Sequence, residues 1–359
     1  METPMRHVFY TIFILFSLFL SCTPNAETTD GDPLPDTLLI HSLDTFPIPS
    51  SIRALEVLND STVWFAGSDG VYGYTEDGGQ SWMIDSLLAD TIRPHFRSIA
   101  VTRDAVFLLS IATPALLYCS TDKGRSWQPV FREDHPAAFY DAMAFWDNQD
   151  GIAMGDPVEG CLSVILTRDG GQSWKKIPCS KLPPAEEGEA AFAASNSNIA
   201  LSGDHAWIVS GGKRARAYHS PDRGASWEVF DTPIIEGDQM TGIFSTDFYD
   251  ARHGIIFGGD WNRKEMNTRN KAITQNGGRS WQLVSDGQGP GYRSCVQYIP
   301  NSKGQGIMAC GIPGISYSLD GGKKWGSLST ENFYTMRFGK NWKTLWLAGN
   351  GRIARLQLK

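Results

Sequence analysis

Charged and aromatic side chains recur at one kind of position in this chain: the residue that opens an alternating apolar run. Arg53 stands before Ala54-Leu55, Arg97 before Ser98-Ile99, and Arg293 before Ser294-Cys295. Asp141 precedes Ala142-Met143, Thr241 precedes Gly242-Ile243, Tyr334 precedes Thr335-Met336, and Ala193 holds the same place in its own run. A second set follows other apolar runs: Asp69, Asp156, Lys213, Asp260 and Asn350, with the acidic stretch Glu186-Glu187-Gly188-Glu189 beside it. Guanidinium forks suit carboxylates and phosphates. Paired carboxylates such as Asp141 and Asp156, with Tyr334 as a further nucleophile, are the groups of a glycoside hydrolase. The plain alternative is that these charges neutralise one another and only wet a channel.

Other chemistry lacks its residues. The seven histidines show no metal-ligand spacing, and no Cys-x-x-Cys pair exists, so neither a metal nor a cofactor is expected. Asp147-Asn148-Gln149-Asp150-Gly151 lacks the alternating acids and terminal Glu of a calcium loop and reads as a turn. A Gly-rich phosphate loop and a Gly-x-Ser-x-Gly elbow are both missing. Lys213-Arg214-Ala215-Arg216 alternates along a strand and reads as a solvated face.

The elements that position these groups are set by an internal repeat. An eight-residue pattern occurs six times: 75–82, 120–127, 167–174, 220–227, 274–281 and 318–325. Its third position is Asp77, Asp122, Asp169, Asp222, Asn276 or Asp320, and its eighth is Trp82, Trp127, Trp174, Trp227, Trp281 or Trp325. The steps between these tryptophans are 45, 47, 53, 54 and 44 residues. The Asp closes an Asx-turn onto backbone N–H groups, the Gly at the fifth position allows a left-handed backbone, and the Trp opens the next strand. Each copy is thus a self-satisfied turn between two strands.

These copies resemble the Asp-box, or BNR repeat, Ser/Thr-x-Asp-x-Gly-x-Ser/Thr-Trp, departing from it at Asn276 and Lys324. The resemblance implies an all-β propeller with the boxes between the third and fourth strands of each blade. Apolar runs such as Trp64-Phe65-Ala66-Gly67 and Trp346-Leu347-Ala348-Gly349 number seven against six boxes. The expectation is therefore a seven-bladed β-propeller, with blade 7 (Phe333 to Leu358) completed by an N-terminal strand around Thr37 to Phe46, which removes exposed edges. In that fold Arg53, Arg97, Asp141, Asp156, Glu189, Lys213, Asp260, Arg293 and Tyr334 face a central funnel opposite the boxes. Asp-boxes also occur in sialidases. Their early Arg-Ile-Pro element is absent here, the nearest string being Ile92-Arg93-Pro94.

The 359-residue chain carries 32 basic and 39 acidic residues, a net charge of −7, which makes nucleic acid a poor partner. At 41% hydrophobic residues it can bury a sizeable core. Arg6-His7 and the apolar run Val8 to Leu20 form a signal core too short to span a membrane. Phe19-Leu20-Ser21-Cys22 resembles a bacterial lipoprotein signal in which Cys22 carries lipid; ordinary secretion is the alternative. The expected organisation is a signal peptide at 1–21, a lipid-anchored tether at 22–35 and the propeller at 36–359. Cys161 and Cys179 flank the turn at Gly170, and Cys295 and Cys310 flank that at 301–304. Either pair can form a cross-strand disulfide if its register is close, leaving Cys119 over.

The best overall resemblance is to the exported Asp-box propellers related to the photosystem II stability/assembly factors. It implies a monomeric, non-catalytic scaffold in the cell envelope that binds a protein or glycan. The other reading is a glycoside hydrolase, sialidase-like or polysaccharide-active, using the funnel carboxylates.

Overall fold

The structure is a computed structural model that describes Met1 and residues 34–359. The leader 1–21, Cys22 and nearly all of the tether lie outside the described residues.

Val, Ile, Phe and Trp at alternating positions build strands that are buried on both faces. Val63–Gly67, Val106–Ser110 and Ile307–Gly311 have every residue buried. Such strands need cover on each side, and they find it by stacking sheets in a ring, with apolar clusters between neighbours. Phe96, Ile99 and Leu108, for example, pack against Trp64, Ala66 and Tyr72 of the sheet before.

Among the described residues the strands form six hydrogen-bonded sheets, which corrects the expected seven blades to six. The first sheet has the order Thr335–Phe338, Thr344–Leu358, Ile40–Val57, Val63–Gly67, Val71–Thr75, Met83–Ser86. Its strand Ile40–Val57 is 18 residues long. It pairs with Thr344–Leu358 from Ile40↔Leu358 to Ser51↔Asn350, and with Val63–Gly67 from Ile52↔Gly67 to Val57↔Val63. The closing strands and the first apolar runs are therefore one continuous six-stranded sheet. Counting apolar runs counts strands and cannot see where a ladder continues.

The second sheet runs Phe96–Val101 to Gln128–Glu133 and the third Tyr140–Phe145 to Lys175–Lys176. The fourth joins Ile199–Ser202, His205–Val209, Arg216–Ser220 and Glu228–Asp231. The fifth is centred on Thr241–Phe248 and Gly254–Asp260, and the sixth on Cys295–Tyr298 and Ile307–Gly311.

The six repeat turns share one bonding scheme. In each, the first hydroxyl donates to the third residue's Oδ1, at 2.8–2.9 Å, and accepts the N–H of the fifth-position Gly at 2.7–3.0 Å. That Gly has φ between 78° and 89°, a backbone other residues resist. The seventh residue's N–H reaches the same Oδ1 at 2.8–3.0 Å, and in the first four copies its hydroxyl donates to Oδ2. Asn276 keeps the turn by reversing one bond, its Nδ2 donating to Ser280 at 2.8 Å. Lys324 keeps only the backbone bond, to Asp320 at 2.9 Å. The Trp rings cover the turns in part, and Trp174 is 7% exposed.

The entry to the fourth sheet departs from the pattern of the other innermost strands. Its innermost strand begins only at Ile199, and residues 191–198 run as irregular backbone.

Candidate functional site

The residues expected at the funnel are aimed by a shared device. In four innermost strands one residue is skipped by the ladder: Ile52 pairs with Gly67 but Ala54 with Ala66, leaving Arg53 extra. In the same way Arg97 falls between Phe96↔Ser110 and Ser98↔Leu109, and Asp141 between Tyr140↔Gly155 and Ala142↔Met154. Phe244 falls between Ile243↔Gly258 and Ser245↔Phe257. Each is the extra residue of a β-bulge, which turns its side chain out of the sheet register.

Three of the expected residues, Arg53, Arg97 and Asp156, line one pocket of about 330 Å³. Its walls are aromatic. Phe192 stacks on Phe244 with centroids 3.9 Å apart, and Tyr292 meets both Phe244 and Trp261 edge-on at 4.8 and 5.4 Å. The floor is the irregular segment: Arg97 Nη1 donates to the Ala193 carbonyl at 3.0 Å and Arg53 Nη1 to that of Ala194 at 3.4 Å. The Arg53 guanidinium lies 3.9 Å above the Tyr334 ring. The Nε of each arginine is buried without a hydrogen-bond partner. Burial lowers the pKa of Arg53, and burial with the neighbouring charge of Arg53 brings Arg97 down to about 10. Two desolvated cations side by side favour an incoming acceptor or anion.

The carboxyls of the site are pushed the other way. Burial raises Asp156 to about 6, against the Ala191 N–H that its Oδ1 accepts at 2.7 Å. Asp141 has 0% exposure, and neither oxygen has a partner in hydrogen-bond geometry, although the Ala193 N–H lies near enough to favour the anion. Burial, then the charge of Asp156, lift its pKa well above the usual carboxylate range. Being fully buried, Asp141 presents no exposed oxygen to the pocket that Asp156 lines.

The remaining funnel expectations are placed elsewhere. Glu189 is held by Arg216, Ser210 and Tyr218, with its Oε1 accepting from Arg216 Nε at 3.2 Å and Tyr218 at 2.9 Å. Asp260 is capped by Arg263 Nε at 2.7 Å and by the N–H groups of Asn262 and Arg263. Burial works to raise its pKa, but these bonds outweigh it. Arg293 turns along its own sheet, donating to the Tyr292 carbonyl at 2.8 Å and to Ser316 Oγ at 2.7 Å. Lys213 is exposed, 3.7 Å from Glu187. Cys161 and Cys179 are joined by a disulfide, whereas Cys295 and Cys310 face each other in register as free thiols.

Sequence reasoning missed the segment that closes the axis. Ser195 Oγ donates to the Ser294 carbonyl at 2.6 Å, and the Ser195 carbonyl accepts from Thr335 at 2.9 Å. Asn196 accepts the Met143 N–H at 3.0 Å and donates to the Ile99 carbonyl at 2.9 Å, while Ser197 bonds Ser245 at 2.7 Å. With Arg53 and Arg97, these contacts tie residues 193–197 to all five other sheets. Beneath it lies a second charged group. Arg337 Nη2 donates to the Asn196 carbonyl at 2.8 Å. Burial raises Glu56 despite Arg337, and burial raises Asp247 to about 6 against the N–H groups of Tyr298 and Phe248.

A larger hollow of about 440 Å³ lies at the rim, between the third sheet and the fourth turn, lined by Arg168, Lys175, Lys176 and Lys181. It holds none of the convergent groups above. Among the described residues no three His, Cys, Asp or Glu side chains gather as metal ligands.

No family model matches the chain. It is similar to the photosystem II assembly protein Ycf48 of Synechococcus sp. strain JA-3-3Ab, 25% identical over 216 residues, and to that of strain JA-2-3B'a(2-13), 24% identical over 218 residues. Each match covers 59% of this chain and 57% of the relative, so just over half the length of these curated relatives is matched. Among solved structures, one described as YCF48 bound to D1 peptide superposes with a TM-score of 0.63 at 16% identity, covering 90% of this chain and 99% of that one. YCF48 from Cyanidioschyzon merolae gives 0.64 at 15% identity over 88% and 99%. The WD40 repeats of RRP9 give 0.60 at 12% identity over 88% and 98%. The chain is a β-propeller, and the resemblance to photosystem II assembly factors expected from its repeats is found in these comparisons.

Proposed function

We propose that this chain is an exported, lipid-anchored and non-catalytic propeller scaffold that binds a segment of another protein at the axial pocket. The observation that carries the reading is the pair Arg53 and Arg97. Two bulged, half-buried guanidinium groups line a pocket whose wall is largely aromatic. Guanidinium groups suit a ligand that brings carbonyl or carboxylate oxygens, and the rings suit its apolar side chains. Similarity to proteins named for assembling photosystem II, one of them solved with a D1 peptide, supports a protein partner over a glycan. The partner of this chain is its own and is not taken to be D1. Lipid on Cys22, the envelope location and the reading of the six turns as Asp-boxes rest on the sequence.

The test is capture of a partner from the native envelope. Arg53→Ala with Arg97→Ala is expected to abolish capture and, by releasing the Ala193 and Ala194 carbonyls, to lower the melting temperature while the chain stays folded at the temperature of the assay. Lys213→Ala, exposed and outside the pocket, is expected to change neither. Capture that survives the double substitution sinks the reading.

A further inference from the structure

Outside the pocket, two thiols lie against the axis. Cys295 stands on the innermost strand of the sixth sheet and is in register with Cys310 on the strand beside it. Both have 0% exposure. Donors gather on one sulfur: Arg337 Nη1 lies 3.6 Å from Cys295 Sγ, Ser197 Oγ 3.8 Å and Thr335 Oγ1 4.0 Å. Burial pushes the Cys295 thiol up, but the hydrogen bond from Cys310 and the Arg337 charge outweigh it and bring the thiol down to about 5. Burial and the bond to Cys295 push Cys310 up. The arrangement is asymmetric. The Cys295 sulfur meets three side-chain donors and one acceptor, the Met336 carbonyl at 3.7 Å, whereas burial keeps its register partner a thiol.

We propose that Cys295 and Cys310 form a peroxide-reactive dithiol, a modification site whose oxidation loosens the segment that floors the pocket. The Cys295 thiolate attacks one oxygen of hydrogen peroxide. The O–O bond breaks, and the departing hydroxide takes up a proton to leave as water, giving a sulfenic acid on Cys295. The Cys310 sulfur then attacks the Cys295 sulfur, the S–O bond breaks, and the hydroxyl leaves as water with the Cys310 proton. Two thiols are oxidised to one disulfide, and one peroxide is reduced to two waters. The oxidant has to be this small. With both sulfurs buried, bulky thiol reagents are excluded from the folded protein.

The link to the pocket is Arg337. Its Nη1 contacts the Cys295 sulfur, and its Nη2 donates to the carbonyls of Ser195 at 3.2 Å and Asn196 at 2.8 Å. Two residues upstream, the Ala193 and Ala194 carbonyls hold Arg97 and Arg53. Converting the thiolate to a neutral disulfide removes the anion against Nη1 and so weakens one of the ties on this segment. Nη1 then keeps only the Thr335 hydroxyl at 3.1 Å and the Met336 carbonyl at 2.7 Å. The thiol chemistry is independent of what the pocket binds.

The experiment treats the purified chain with near-stoichiometric peroxide, alkylates it in denaturant and maps its peptides by mass spectrometry. The expected result is joint loss of the Cys295 and Cys310 thiols in one cross-linked peptide pair, reversed by dithiothreitol. In Cys310→Ser, dimedone added in denaturant after the peroxide step is expected to trap a sulfenic acid on Cys295. Amide exchange across 193–198 is expected to quicken several-fold on oxidation and to recover on reduction. Free thiols at both positions when Cys119 is already oxidised would overturn the site, as would dimedone on Cys310 in Cys295→Ser. A formed disulfide with unchanged exchange across 193–198 would overturn the coupling.

Discussion

Aspartate does opposite work at the rim and at the axis. In the repeat turns, Asp77 accepts from the Thr75 hydroxyl and from the N–H and hydroxyl of Ser81, and its carboxyl is drawn down to about 2 chiefly by the Ser81 hydroxyl; Asp122 behaves alike. At the axis, burial lifts Asp156 and Asp247 to about 6 and Asp141 well above the ordinary range. At the rim the Oδ1 of each third-position residue is met by donors within the same eight residues, although the indole Nε1 of Trp82, Trp127, Trp174 and Trp281 stays unpaired. At the axis the neighbours come from other sheets, and Arg53 and Arg97 keep donors unmet. A repeat that satisfies itself is a scaffold signal. The carbonyls that hold Arg53 and Arg97 belong to the irregular stretch around Phe192 to Asn198.

The largest way to break this contrast is to remove a rim ring. Trp174 packs edge-on against Phe145 at 5.6 Å and Phe107 at 6.4 Å. Trp174→Ala is expected to cost roughly 3–5 kcal/mol in urea unfolding through the cavity it leaves, whereas the exposed neighbour Lys175→Ala should stay within about 0.5 kcal/mol. Equal costs would mean that the turns do not carry the fold.

The next effect separates the two regions by pH. For Asp156 the folded carboxyl binds its proton more tightly than the unfolded one, so its contribution is present below the unfolded value near 4 and is lost as pH rises through about 6. The rim aspartates have the reverse sign: their contribution is present above about 4 and is lost as pH falls towards 2. Asp156→Asn keeps the acceptor for the Ala191 N–H and removes the titration. Relative to the native chain it should gain stability progressively between pH 4 and 7, by at most about 3 kcal/mol. Unfolding curves that stay parallel across this range would contradict the buried carboxyl.

Much of this contrast was written in the sequence, for a physical reason. The rim turns are legible because all their partners lie within eight residues. Arg53 and Arg97 are legible because each opens an apolar run. Arg293 opens a run too, yet it turns to Ser316, 23 residues on, which no local pattern reveals. Glu189 is likewise claimed by Arg216, 27 residues away. Glu56, Asp247 and Arg337 were missed because each follows the first position of its innermost strand. In the strands of Glu56 and Asp247, bulges at Arg53 and Phe244 also reset which later residues face the axis. The sheet count failed because Ile40–Val57 continues through two ladders.

The smallest effect probes the rim alone. Asn276 occupies the aspartate position and reverses one bond, with its Nδ2 donating to Ser280 Oγ at 2.8 Å. Asn276→Asp would let the Ser280 hydroxyl donate instead, as Ser81 does to Asp77 at 2.5 Å. A carboxylate accepting local donors is a stronger partner than an amide, but the site is exposed, so the gain should stay below about 0.5 kcal/mol. It should also be conditional. The added carboxylate titrates as the other rim aspartates do, so the gain is present at pH 7 and vanishes as the pH is lowered towards 2. Thermal unfolding at the two pH values reads this directly. A gain that persists at the low pH would show that charge is not what closes these turns, and the rim would lose the electrostatic character that sets it apart from the axis.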